Sequence, residues 1–201
     1  MLIFILAFLI AITIHEAAHA FVADKLGDPT PRIQKRLTLN PLAHIDLYGT
    51  VLIPLFLIFV SSPFIFGWAK PVPVDPYNLA NPKKDSALIS FAGPLTNILL
   101  ATILALFMRF GLWNELSLAL IRFNVVLAVF NLIPIHPLDG GKILVGILPT
   151  KEAHGLDMFL GRYGTILLLF LIFPIFGGTP LLSRIISPVI NLILNLLIPL
   201  A

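Results

Sequence analysis

The sequence predicts an all-α, multi-pass membrane protein with about five to six hydrophobic helical segments. Of its 201 residues, 58% are hydrophobic and only 11% are charged, where an average globular protein carries about 25% charged residues. Water cannot solvate such a surface, so the lipid bilayer is the expected solvent and first partner. Six apolar stretches, 2–23, 47–66, 87–110, 116–135, 165–176 and 181–200, stand against the roughly 20 residues that a helix needs to cross the hydrocarbon core. The connecting stretches hold most of the Pro, Asp, Lys and Arg.

The first stretch begins without a positive region, so it is expected to be a retained helix and not a cleaved signal peptide. The second is interrupted by Pro54, Ser61, Ser62 and Pro63. Basic residues flank it on both sides: Lys25, Arg32, Lys35 and Arg36 before it, Lys70, Lys83 and Lys84 after it. Excess Lys and Arg marks cytoplasmic loops. With both loops cytoplasmic, 47–66 is a re-entrant element that dips and returns; the alternative is a kinked span with one basic loop outside. Residues 67–74 alternate Trp68, Lys70, Val72 and Val74 with small residues and prolines. They read as a short strand-like segment able to pair with an extended peptide, or as a plain Pro-rich connector.

Stretch 87–110 then runs outward and 116–135 inward. This places ten of the thirteen Lys and Arg residues on the cytoplasmic side, leaving Arg109, Arg122 and Arg184. The segment at 165–176 is short and can begin near Met158; the last two stretches cross out and back. The expected organisation is a single membrane-embedded domain over 1–201, with a catalytic core in 1–141 and a cytoplasmic loop and C-terminal helices in 142–201. The absence of cysteine excludes a disulfide framework and thiolate metal sites. No basic–aromatic stripe points to nucleic acid.

The sharpest signal is His15-Glu16-Ala17-Ala18-His19. Residues four apart share a helix face, so His15 and His19 can offer two imidazoles to one zinc ion. Glu16 follows the first ligand and can act as general base toward a water that the metal activates. Ionisable residues inside a membrane segment are costly and mark function. The structural alternative is an interhelical His–Glu–His hydrogen-bond cluster. Catalytic zinc takes three protein ligands, and Asp139 is the only acidic residue that close to the end of a different hydrophobic helix with Pro and Gly around it, in Asn131-Leu132-Ile133-Pro134-Ile135-His136-Pro137-Leu138-Asp139-Gly140-Gly141. Pro134 and Pro137 loosen the backbone there, and Gly140 and Gly141 permit unusual dihedrals. Read alone, the same residues would form a surface turn at a helix end.

Three blocks now make the chain resemble the site-2 protease family of intramembrane zinc metalloproteases, as a small member without accessory domains. They are the His15–His19 motif, Phe91-Ala92-Gly93-Pro94-Leu95-Thr96-Asn97, and Asn131 through Gly141; Gly67-Trp68-Ala69-Lys70-Pro71-Val72-Pro73-Val74 adds to them. The resemblance implies one zinc ion per chain held by His15, His19 and Asp139, a catalytic Glu16, and Asn131 near the substrate or the developing oxyanion. It implies hydrolysis of peptide bonds in or near transmembrane helices of membrane protein substrates. The family commonly shows Pro where this chain has His136, which leaves open whether His136 touches the site.

The other polar residues admit plainer readings. His44 is structural, or a gate or outer partner of the metal site. Asn97 and Thr96 bond between helices, or Asn97 supports a zinc ligand. His154 is expected in a solvated loop. The rival functions are a membrane metal transporter, which would give Glu16 no special role, and a protease-like protein that binds clients without cutting them. The active site is expected nearer the cytoplasmic side of a prokaryotic plasma membrane. Oligomeric state is not written in the sequence.

Overall fold

The computed structural model describes residues 2–60, 67–111, 114–173 and 179–198, and every regular element among them is helical. Helix α1 spans Leu2–Lys25. It closes on Gly27, whose φ of +103° lies in the left-handed region that glycine enters without a Cβ penalty. The Asp28 N–H reaches back to the Ala23 carbonyl at 3.0 Å, satisfying the helix end. A short helix α2, Thr30–Ile33, follows. Asp46 then accepts the Gly49 N–H at 2.7 Å and opens a π-helical turn, Leu47–Leu52, that runs into α3, Ile53–Phe59.

Helix α4, Pro82–Arg109, starts with Pro at its first position, where a missing N–H costs nothing. Asp85 accepts the Asn81 N–H at 2.7 Å and sets a carboxylate in the first turn, where the helix dipole favours it. Helix α5, Glu115–Asn131, opens on a reciprocal Asn114–Ser117 capping box. Helices α6, Asp139–Ile147, α7, Thr150–Ile172, and α8, Leu181–Leu197, complete the order.

Three of these helices, α1, α4 and α7, are long and apolar enough to cross a membrane; Leu47–Phe59 and α8 are shorter apolar helices. Among the described residues of the segment predicted at 47–66, helix runs from Leu47 to Phe59. Its rise of about 20 Å is short of the ~30 Å hydrocarbon core; residues 61–66 lie outside the described ones. Its two ends meet. The Trp68 N–H donates to the Gly49 carbonyl at 3.2 Å, and the Thr50 hydroxyl donates to the Trp68 carbonyl at 2.8 Å. A Cβ on Gly49 would fall 2.4 Å from the Trp68 ring, so glycine permits the closure.

Several expectations need correcting. No β-strand occurs among the described residues, and 67–74 is a connector without a strand partner. The Trp68, Lys70 and Val72 N–H groups go instead to Gly49, His44 and Glu16, which belong to no common strand. The helix predicted at 116–135 stops at Asn131, and residues 132–138 are turns ahead of α6. The loop predicted from 142 is helical, because α6 continues to Ile147 and α7 begins at Thr150. Lys151, Glu152 and His154 are solvated as expected, but on an exposed helix face.

Helix α4 sits at the centre, packed against α1, α5 and α6. Its contacts are made by small residues: Ala7, Ala11, Ala20 and Ala23 of α1, Ala101 and Ala105 of α4, Ala119 and Ala128 of α5 are all buried. Small side chains let helix backbones approach where lipid removes the hydrophobic drive between helices. Large apolar residues lie outside instead, among them Phe4, Phe59, Leu99, Phe107 and Ile166. That inversion suits a lipid-facing surface.

Candidate metal centre and active site

His15 and His19 are buried on the face of α1 that meets α4, their rings perpendicular with centroids 4.6 Å apart. Each is held by its Nδ1. His15 Nδ1 bonds to Asn97 Oδ1 at 2.6 Å, and His19 Nδ1 donates to the Ile89 carbonyl at 2.7 Å. Both acceptors come from α4. A bond at Nδ1 fixes the tautomer and turns the Nε2 lone pair to the other side. Both Nε2 atoms face Asp139 Oδ2, at 3.1 and 3.2 Å.

With Nδ1 of each ring as donor, the two Nε2 atoms and the carboxylate oxygen form a set of three electron-pair donors suited to one cation. Three ligands at about 2.0–2.1 Å from a tetrahedral zinc ion would sit roughly 3.3 Å apart, so the measured separations fit. His15, His19 and Asp139 also form a metal-ligating group with all donor atoms within 4.8 Å of one another.

Asp139 is delivered by the turns at 132–138 and the first turn of α6. The Leu138 N–H bonds to the Ile135 carbonyl at 2.9 Å, and the Gly141 N–H to the Leu138 carbonyl at 3.2 Å. Gly140 and Gly141 serve here by close approach, not by unusual dihedrals. A Cβ on Gly140 would lie 2.3 Å from the Leu132 and Ile133 carbonyls, and neither glycine has a positive φ. His136 bonds through Nε2 to Asp157 of α7 at 2.9 Å; it braces this turn from outside.

The bonds behind His15 extend deeper into the bundle. Asn97 Nδ2 donates to the Ala11 carbonyl at 3.1 Å and to Asn124 Oδ1 at 2.6 Å. Asn124 Nδ2 donates in turn to the Leu120 carbonyl at 2.8 Å. Three helices thus orient one imidazole. Asn97 therefore bonds between helices, joining α4 to α1 and α5 directly behind His15. Asn124 was missed, and Gly93 was named only within the 91–97 block, without its packing role. Asn124 was legible as an amide in the middle of the apolar α5 sequence. Gly93 packs α4 backbone onto the ligand rings: a Cβ there would lie 2.6 Å from His19 and 2.7 Å from His15.

Glu16 is half-buried, and its Oε2 accepts the Val72 N–H at 3.1 Å. Asn131 is half-buried at the end of α5, with one amide N–H on the Leu127 carbonyl at 3.0 Å. His44 is buried apart from the metal-ligating group. Its Nε2 meets the Thr38 carbonyl at 3.0 Å, and its own carbonyl accepts the Lys70 N–H at 2.9 Å.

Asp28, fully buried beyond the end of α1, anchors the other end of the 67–78 stretch. It accepts from the Thr30 N–H and hydroxyl, the Asp75 N–H and the Asn78 amide. Burial alone would raise its pKa, but these bonds, led by Thr30 and Asn78, outweigh it and hold the carboxyl below its ordinary value.

Comparison with known proteins agrees with this geometry. The sequence model of peptidase family M50 matches residues 3–114 and 107–171. A Bacillus subtilis protein named as a candidate zinc metalloprotease, YwhC, is 35% identical over 93% of this chain and 85% of its own length. Zinc metalloprotease MJ0392 of Methanocaldococcus jannaschii is 29% identical over 76% of this chain, which covers 36% of that protein. Stage IV sporulation protein FB of Bacillus subtilis is 26% identical over 72% of this chain, covering 52% of its own length. No solved structure matches the chain. The chain belongs to peptidase family M50, the site-2 proteases, and is an intramembrane zinc metalloprotease.

Proposed function

We propose that the chain cuts transmembrane segments of membrane proteins at the point where His15 Nε2, His19 Nε2 and Asp139 Oδ2 converge. That convergence, with Glu16 on the same helix, is the observation that carries the reading. These three residues would hold the zinc. When bound, zinc supplies Lewis-acid polarisation of the scissile carbonyl and makes water acidic enough to attack near neutral pH.

The chain's own residues do the rest. The Glu16 carboxylate takes the proton of the attacking water and returns it to the leaving amine nitrogen as the C–N bond breaks. Asn97, backed by Asn124, keeps His15 in the tautomer that presents Nε2. Asn131, at the α5 terminus, donates to the developing oxyanion once its amide turns from Leu127. His136 steadies the turn that delivers Asp139 through its bond to Asp157. His44 holds the connector over the site through its carbonyl. The substrate helix must unwind locally, because a helical ladder occupies its own carbonyls.

The topology supports access from the cytoplasm. The joined ends at Gly49 and Trp68 favour a dip over a span for the segment between them. Lys25, Lys70, Lys83 and Lys84 then share a side, as the positive-inside rule demands. His19 lies about 9 Å along α1 from Lys25 at 1.5 Å per residue. We place the protein in the plasma membrane of a prokaryote, with the catalytic residues in 1–141 of one membrane domain.

Glu16→Gln tests the function. Gln has nearly the same size but accepts no proton, so zinc content stays and cleavage of a model transmembrane substrate falls by at least about 10²–10⁴-fold. Cleavage by the variant equal to that of wild type would remove Glu16 from the mechanism.

A further inference from the structure

The connector at 67–75 is pinned by alternate backbone donors. The Trp68 N–H bonds to the Gly49 carbonyl at 3.2 Å, the Lys70 N–H to the His44 carbonyl at 2.9 Å, and the Val72 N–H to Glu16 Oε2 at 3.1 Å. Beyond them the Asp75 N–H bonds to Asp28 Oδ2 at 2.8 Å. Pro71 and Pro73 bracket Val72. They carry no N–H, fix their own φ, and push Lys70 and Val72 into the extended region. Val72 is therefore the one residue of 71–73 with a backbone hydrogen to give, and that hydrogen goes to the residue that moves protons.

We propose that the Val72 backbone N–H is a positioning donor for Glu16, and that the connector sets catalytic power by holding that carboxylate. The inference rests on Glu16 being the general base. A glutamate's terminal torsion is broad and only weakly restrained by its own rotamers. An N–H on Oε2 fixes the carboxylate plane and leaves Oε1 directed to the reaction. Hydrogen bonds to an ionised acceptor are stronger than neutral ones. The donor is placed by the three other bonds, so its position does not depend on Glu16 alone. Four anchors meet in this arrangement: the dipping segment through Gly49, the 38–46 turn through His44, the end of α1 through Asp28, and the catalytic face of α1 through Glu16.

Val72→Pro removes this N–H while keeping the extended backbone. An ester in place of the 71–72 peptide bond removes the same hydrogen without adding a ring. Both are measured for zinc content and for kcat and KM on a transmembrane substrate, beside wild type, Val72→Ala and Glu16→Gln. The expected result is full zinc with kcat lowered about 10–100-fold, the scale of a misplaced catalytic group, and KM little changed. Val72→Ala keeps the N–H and recovers most of the kcat lost in Val72→Pro. Amide exchange gives a readout without turnover: Glu16→Ala speeds exchange at Val72 and leaves Lys70 and Asp75 protected. Wild-type kcat in the ester variant overturns the proposal, as does a loss confined to KM or a Val72→Ala defect equal to that of Val72→Pro. If Val72→Pro loses zinc, the ester variant decides. Full activity in Glu16→Gln would instead overturn the assignment of the base itself.

Discussion

The α1–α4–α5 bundle and the C-terminal pair α7–α8 are built from similar apolar sequence but bury different things. In the bundle, Thr13, His15, His19, Ser90, Asn97, Ser117 and Asn124 are all buried among alanines and glycine. In α7 and α8 the buried residues are Ala153, Leu160, Gly164, Leu168 and Leu182, none of them polar. A buried polar group in lipid must find a partner or lose several kcal/mol. For His15, Asn97 and Asn124 the bundle meets that demand with one chain of bonds, while the Thr13 hydroxyl is left without a partner among the described residues and α7 and α8 avoid the demand. His15, His19, Asn97 and Asn124 are buried where the candidate site lies, while Ser117 and Asp85 serve helix starts and Asp28 and His44 hold the connector. The C-terminal pair supplies packing, with one exception at the surface, the Asp157 carboxylate that braces His136.

The largest test of that contrast is Gly93→Ala. The new methyl would need the space held by the His15 and His19 rings, and neither ring can yield because Asn97 and Ile89 tie each one at Nδ1. Zinc affinity should fall by about 100-fold, the upper end for residues that orient metal ligands. Chelator competition measures it. An unchanged affinity would mean that the rings are not fixed by α4.

Asn124→Leu is expected to act in the same direction but more weakly. Asn97 would lose the Asn124 acceptor yet keep the Ala11 carbonyl for one N–H. A loss of about 10-fold in zinc affinity is expected, with Asn124→Gln unable to restore it because the longer side chain shifts the amide. Equal affinity in wild type and Asn124→Leu would cut the chain of bonds at Asn97.

Much of this site was legible in the sequence because short-range spacing carries it. His15 and His19 are one helical turn apart, so pairing them needed no tertiary information. Asp139 required one long-range step, which the need for a third ligand supplied. What could not be read depends on approach between distant segments. Gly93 looks like any glycine until α4 lies against α1. The closure of Gly49 on Trp68 is a contact across a segment whose period favours neither helix nor loop. The helical character of 142–164 was hidden because Lys151, Glu152, Asp157 and Arg162 resemble a soluble connector, while in the fold they form the exposed face of α7.

Asp28 offers a smaller and pH-dependent effect. Its folded pKa lies below the unfolded value of about 3.9. The stability it contributes is therefore present above that value and lost as pH falls through the folded pKa. Asp28→Asn should melt at a temperature lower by about 2–4 °C near neutral pH, as loss of about 1 kcal/mol predicts for a chain of this size. The gap should close on acidification below about pH 4. Melting curves in detergent across pH report it; a gap that widens in acid would contradict the sign.

The smallest expected effect lies on α8, where one helix shows both behaviours. Ile186, Ile190, Ile193 and Leu194 pack on the cluster of Ala101, Ala105, Met108, Ile121, Val125 and Val129. Ile185, Leu192 and Leu196 point away and are more than half exposed. Leu192→Ala or Leu196→Ala exchanges leucine–lipid contact for alanine–lipid contact and opens no cavity. Stability should move by no more than about 0.5 kcal/mol, the range of substitutions that touch no packed feature. Ile193→Ala should cost about 2 kcal/mol or more, because the vacated space borders buried side chains. Neither leucine variant should change zinc affinity, since no polar contact links α8 to the ligands among the described residues. If Leu192→Ala instead lowered cleavage with zinc and stability intact, the exposed face of α8 would have a partner other than lipid. The division between a catalytic bundle and a packing pair would then have to be redrawn.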